Sequence, residues 1–238
     1  EWLGKQESEY WIRASANAYE ADEDLAFAIE KLIEHGRPHA AIDCLNAMIY
    51  KKQPIEGNQC VRALLSALMS NEPRHAMDAY HILELIKLIQ EDPSVSQDDL
   101  FKVEWAYLPL LDHHNGASPK LLESRLANDP DFFCEVIRLI YRSKKDDQPS
   151  TEPTEEAKAI ATNAWRLLDA WKVPPGTQED GNFDEKRFAE WLQRVKTVCA
   201  ESGHLEVAFT HIGEVLIYAP QDPGGLWIHR AVADALDD

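Results

Sequence analysis

The chain has 238 residues, 45 % of them hydrophobic, which is enough apolar material to build a sizeable core and excludes wholesale disorder. Its formal net charge is -18; the acids are spread over both halves, and such a field repels phosphate backbones and anionic membrane surfaces, so no nucleic acid and no membrane is expected as partner. No stretch approaches the roughly 20 apolar residues that span a bilayer.

In chain order, the first segment, Glu1-Trp2-Leu3-Gly4-Lys5, shows no basic region followed by an apolar run, so no signal peptide is expected. An initiator Met is missing, and the last residues, Ala235-Leu236-Asp237-Asp238, stop inside a helical pattern. Both ends lead us to expect a fragment of a larger protein. Residues 22–35 carry Leu25, Ala28, Ile29, Leu32 and Ile33 at helical spacing, and residues 57–70 carry Val61, Leu64, Leu65 and Leu68. Residues 78–91 differ. Ile82, Leu83, Leu85, Ile86, Leu88 and Ile89 surround most of the circumference, which predicts an inner helix packed on more than one side. Residues 131–142 look similar, with Phe132, Phe133, Val136, Ile137 and Leu139. Residues 155–173 show a stripe of Ala157, Ala161, Ala164, Leu168 and Trp171. Period-two alternation is absent throughout, so no sheet is expected.

The breaks between these runs read as helix punctuation. Ser96 opens a capping box in which Asp99 stands where Glu is preferred. Ser118-Pro119, Asp129-Pro130 and Asp222-Pro223 put a capping side chain before a proline at the first helical position. Asp22-Glu23-Asp24, Asp98-Asp99, Glu155-Glu156 and Asp184-Glu185 precede or open helical runs, where carboxylates complement the partial positive charge of the helix end. Much of the acidity thus has a structural role. Gly36, Gly116 and Gly203 follow the ends of runs, where a left-handed residue closes a helix. The polar, Pro-containing segment 143–153 suggests a division into residues 1–147 and 148–238, and the Gly/Pro-rich residues 174–182 read as an exposed inter-helix loop.

One register recurs. Gly36 is followed at fixed offsets by Ala41, Ile42 and Leu45, and Gly203 at the same offsets by Ala208, Phe209 and Ile212. Ahead of the glycines, Leu25 aligns with Leu192, Ala28 with Val195 and Leu32 with Cys199. A helix, a tight glycine turn and a second helix with a small Ala at the closest approach resembles the helix–turn–helix units of tetratricopeptide and HEAT-like repeat proteins. The resemblance rests on these two turns. The ordered Trp, Leu-Gly, Tyr and Pro positions of the tetratricopeptide unit are not present, and the repeat spacing varies. What it implies is an all-α fold: a right-handed stack of antiparallel helix pairs, α-solenoid-like, with about twelve helices and no sheet. Such arrays present a groove to protein or peptide ligands.

Candidate chemistry is sparse. Asp112-His113-His114-Asn115 is the densest polar cluster, but neighbouring side chains on a helix point about 100° apart and two adjacent His rarely chelate one ion. His35 and His39 are separated by a glycine turn, and His204 and His211 lie two turns apart with no third ligand. Cys44, Cys60, Cys134 and Cys199 form no CxxC pair and read as buried free thiols of a reducing, cytoplasmic compartment. No phosphate loop, H-E-x-x-H or G-x-S-x-G motif occurs. We therefore expect no catalytic residues, no cofactor and no metal. Trp171, Trp191 and Trp105 fall in periodic runs and are expected in the core. Trp165 lies beside its stripe, and Trp2 and Trp11 lie near an open end; these three are the candidate partner-binding residues, the alternative being that at the end of an array they await the next repeat. The expected role is a non-catalytic protein–protein interaction or scaffold module of a larger multidomain intracellular protein. The alternative is an α-helical enzyme with a polar site near Asp112 and His113.

Overall fold

A computed structural model describes residues 25–70, 79–111, 117–145, 154–178 and 182–216. Among the described residues there are ten α-helices: α1 Leu25–Glu34, α2 Pro38–Tyr50, α3 Gly57–Met69, α4 Ala79–Glu91, α5 Gln97–Tyr107, α6 Lys120–Asn128, α7 Pro130–Lys145, α8 Glu155–Ala170, α9 Glu185–Ser202 and α10 Leu205–Val215. A short 3-10 turn, Leu108–Leu110, follows α5. The described residues form no β-strand; Thr177 and Phe183 make an isolated antiparallel bridge. The protein is all-α with sequence-adjacent helices packed on one another, and no described helix is long and apolar enough to cross a membrane.

The helix ends follow the chemistry of their residues. The Ser96 hydroxyl accepts the Asp99 backbone N–H at 3.1 Å, capping α5. The Asp99 carboxylate accepts the Ser96 hydroxyl at 2.8 Å, a side-chain bond in place of the backbone N–H contact of a full capping box. Asp129 caps α7 by accepting the Phe132 N–H at 3.0 Å, and Thr154 caps α8 through the Ala157 N–H at 3.2 Å. Asp184 accepts from both Lys186 N–H and Arg187 N–H at the start of α9. The start of α6 differs from the expected Ser118 cap followed by Pro119 as the first helical residue. Pro119 itself occupies the N-cap of α6, with no side-chain capping bond, so the helix starts one residue later.

The chain divides into two compact units, Glu1–Ala117 and Ser118–Asp238. The boundary drawn at residue 148 from composition falls inside the second of these, between α7 and α8, which pack against each other; residues 146–153 lie outside the described residues.

In the first unit α1 and α2 form a hairpin closed at Gly36. Its φ is +71°, the Gly36 N–H donates to Ile33 O at 3.0 Å and the Arg37 N–H to Leu32 O at 2.8 Å. This pair of bonds is the Schellman closure, and the left-handed residue in it favours glycine. Helix α3 then packs on α1 and α2, and α4 packs on α2 and α3 before it and on α5 after it. Leu85 and Ile86 are completely buried, as the apolar circumference of α4 predicts. The start of α3 is pinned by the segment after α4: the Gly57 N–H donates to Asp92 Oδ2 at 2.8 Å. A Cβ at Gly57 would sit 2.6 Å from that oxygen and from the Val95 side chain, so any larger residue here would force the Asp92 and Val95 side chains to shift. The Tyr107 hydroxyl, buried, donates to Leu64 O at 2.9 Å and ties the end of α5 to α3.

The second unit is organised around α7, which packs against α6, α8, α9 and α10. Phe133 is fully buried, its ring 5.4 Å from that of Trp171 and 5.1 Å from that of Trp191. Phe133 opens α7 and Trp171 follows the end of α8, so these helices run antiparallel. Trp171 is a core residue as expected, but α8 ends one residue before it. Its backbone is extended, because residues 171–173 lead into Pro174-Pro175 and the position before a proline disfavours the helix. The stripe of α8 is buried only from Ala164 onward; Ala157 is exposed and Ala161 half-buried. The loop after Trp171 also differs from expectation. Pro174, Pro175 and Gly176 are buried, because Gly176 O accepts the Asp184 N–H at 2.9 Å and the Gln178 N–H donates to Asn182 O at 2.8 Å, which satisfies the backbone without water.

The α9–α10 hairpin repeats the α1–α2 closure bond for bond. Gly203 has φ +71°, its N–H donates to Ala200 O at 3.2 Å, and the His204 N–H donates to Cys199 O at 2.9 Å. Both members of all six aligned pairs, Leu25/Leu192 through Leu45/Ile212, are buried. The register extends further than the six. Cys44 aligns with His211 and Met48 with Val215, and these four are buried too.

Candidate partner-binding surface

Trp165, on α8, is 48 % exposed. It sits one position beyond buried Ala164 and two before buried Leu167, at the edge of the buried face, so its indole straddles core and solvent. The ring meets His211 of α10 edge to face, with centroids 5.4 Å apart and planes at 77°. His211 is itself buried, and its Nδ1 lies 3.1 Å from Glu214 Oε2. An ionised carboxylate can only accept, so Nδ1 carries the hydrogen in this pair and the imidazole orientation is held. The result is a chain from a half-exposed indole through a fixed imidazole to an exposed carboxylate. Nearby, Tyr141 of α7 has its phenol pushed up by burial first and by the negative charge of Glu214 second. The Tyr141 ring lies 6.2 Å from that of His204, whose Nδ1 is 3.1 Å from Ser202 Oγ.

A second feature of this unit is a cleft of about 310 Å³ lined by Ala127, Asn128, Pro130, Gly176, Arg187, Glu190 and Trp191. It offers a guanidinium, a carboxylate and a carboxamide around the face of a mostly buried indole.

Of the candidate partner-binding residues, Trp165 is half-exposed, while Trp2 and Trp11 lie outside the described residues. Asp112, His113 and His114 lie outside them too. Trp191 is buried in the core, and Trp105 is half-buried and stacked on Phe101, with centroids 6.2 Å apart and planes at 8°. His204 and His211 go to different neighbours rather than to a shared site. Among the described residues, no group of three or more His, Cys, Asp or Glu side chains is placed to hold a metal ion. The cleft residues Asn128 and Arg187 escaped the sequence reading, since nothing in their spacing distinguishes them from solvated positions. The burial of His211 was foreshadowed by the repeat register, which places it opposite Cys44.

No protein-family model matches the chain, and neither a curated protein nor a solved structure matches it at a significant level.

Proposed function

We propose that this chain is a non-catalytic protein-interaction module built on a helical repeat of the tetratricopeptide or HEAT-like kind, its helix pairs stacked right-handedly. It would work within a larger intracellular, cytoplasmic protein and take protein or peptide ligands. The observation that carries this reading is the doubled hairpin: two glycine closures with the same φ and the same two hydrogen bonds, flanked by six aligned pairs that are all buried. A chain that reuses one hairpin register is extending an array, and arrays of helix pairs serve chiefly as binding surfaces. Trp165 is the residue we assign to partner contact, because a large indole held half-exposed by a fixed neighbour loses little entropy on binding. The acidic field argues against nucleic acid as ligand.

Selection of a random displayed-peptide library against the chain tests this. Enriched peptides should lose at least about tenfold in affinity on Trp165→Ala, with helicity and melting temperature unchanged. Failure to enrich any sequence, or enriched peptides indifferent to the substitution, would overturn the assignment.

A further inference from the structure

Helices α7 and α9 lie side by side and run parallel. Three pairs advance in the same direction along both: Asp131 with Arg194, Cys134 with Cys199, and Tyr141 with His204. The first is a solvent-exposed ion pair at 2.8 Å. The second brings two buried thiols, 65 residues apart in the chain, to 3.3 Å. We propose that Cys134 and Cys199 form a dithiol site that closes reversibly to an intramolecular disulfide between α7 and α9 by exchange with a small-molecule disulfide of the glutathione class.

The contact geometry supports it. The two sulfurs belong to neighbouring parallel helices and already lie 3.3 Å apart in a shared hydrogen bond, against a covalent distance of about 2.0 Å. The chemistry supports it as well. The hydrogen bond between the two thiols splits them: Cys199 is held below its ordinary value by it, with help from the Arg138 guanidinium and against burial, while Cys134 is raised by it and by burial, so Cys199 is the first attacking sulfur. Thiolate is the attacking species in exchange. Cys44 and Cys60 provide an internal contrast. Both are fully buried, form no thiol–thiol hydrogen bond, and are pushed up to about 12, chiefly by burial.

The reaction balances as two displacements. The Cys199 sulfur attacks one sulfur of the small disulfide, forming a mixed disulfide and releasing one small thiolate. The Cys134 sulfur then attacks Cys199 Sγ and releases the second. Two protein thiols are oxidised, one small disulfide is reduced, and the two protein protons leave on two small thiols. Because both sulfurs are buried, the first step requires a local opening of the α7–α9 seam.

The test equilibrates the folded chain with oxidised and reduced glutathione, alkylates the remaining thiols and records intact mass and a non-reducing digest. The expected result is loss of two alkylatable thiols, a mass lower by about 2 Da for the internal link, and one cross-linked peptide joining Cys134 to Cys199. Reductant should restore all four thiols, and Cys199→Ser should abolish the link. The proposal fails if four thiols persist, if only a glutathione adduct forms, if another pair is joined, or if the link appears only in denaturant. The wild-type readouts stand even where the substitution disturbs folding.

Discussion

The hairpin closed by Gly36 and the hairpin closed by Gly203 have the same turn and the same buried positions, yet different chemistry at those positions. In the first the aligned residues are aliphatic or Ala apart from Cys44 and Met48, and the helices that follow add Leu64, Leu85, Ile86 and Ile89. In the second, Phe209 stands for Ile42, Cys199 for Leu32 and His211 for Cys44, and the neighbours are the rings of Phe133, Trp171, Trp191 and Phe188. The turn sets which positions face inward; the neighbouring helices decide what fills them. His211 sits at its core position with Glu214 Oε2 3.1 Å from its Nδ1 and the Trp165 ring packed edge to face against it.

The largest effect that would sharpen this contrast is expected at the aromatic centre. Phe133→Ala should destabilise the second unit by about 3–5 kcal/mol, measured by denaturant titration, because the ring is fully buried and touches two indoles. A loss below about 1 kcal/mol would mean the aromatic cluster is not what holds α7 in place.

In the aliphatic unit, Leu85→Ala and Ile86→Ala should each cost about 2–5 kcal/mol. A surface helix would show one costly and one silent substitution. Two comparable losses would establish α4 as packed on both sides.

The turns should respond alike where the cores do not. Gly36→Val and Gly203→Val are each expected to lower stability by about 1–2 kcal/mol, since both backbones are left-handed. A Cβ at Gly36 meets nothing within 4 Å, so its cost is conformational and Gly36→Asn should recover most of it. Unequal losses for the two valine variants would break the equivalence of the hairpins.

The smallest effect is a pH dependence. Three carboxyls of the first unit lie below their ordinary values: Asp92 through hydrogen bonds from Ser94 and from Gly57 N–H, Asp99 through Ser96 and then Lys102, and Glu34 through Lys31. A carboxyl depressed in the folded state stabilises it above the unfolded pKa and loses that contribution as pH falls through the folded one. Melting temperature should therefore hold from neutral pH down to about 5 and decline below about 4, the ordinary carboxyl range. Asp92→Asn should flatten part of that decline, and an unchanged acid profile would show that these bonds do not differ between folded and unfolded chains.

Local signals in the sequence were enough for the helices, the two glycine closures, the caps at Ser96, Asp129 and Asp184, and the inner position of α4. Each depends on residues within about one or two turns of each other, where spacing and backbone preference act directly. The reading failed where distant groups intervene. The loop 174–182 was read as exposed because Pro and Gly break helices; Gln178 and Asn182 are exposed, but Pro174, Pro175 and Gly176 are buried, with Gly176 O accepting the Asp184 N–H at the start of α9. Of the candidate surface, the sequence singled out Trp165 by its place beside the stripe. It could not supply His211 as its support or the cleft at Arg187, because those meetings join side chains from separate helices. The same holds for Cys134 and Cys199: nothing local links two thiols so far apart in the chain, and only the parallel packing of α7 and α9 places their sulfurs in contact.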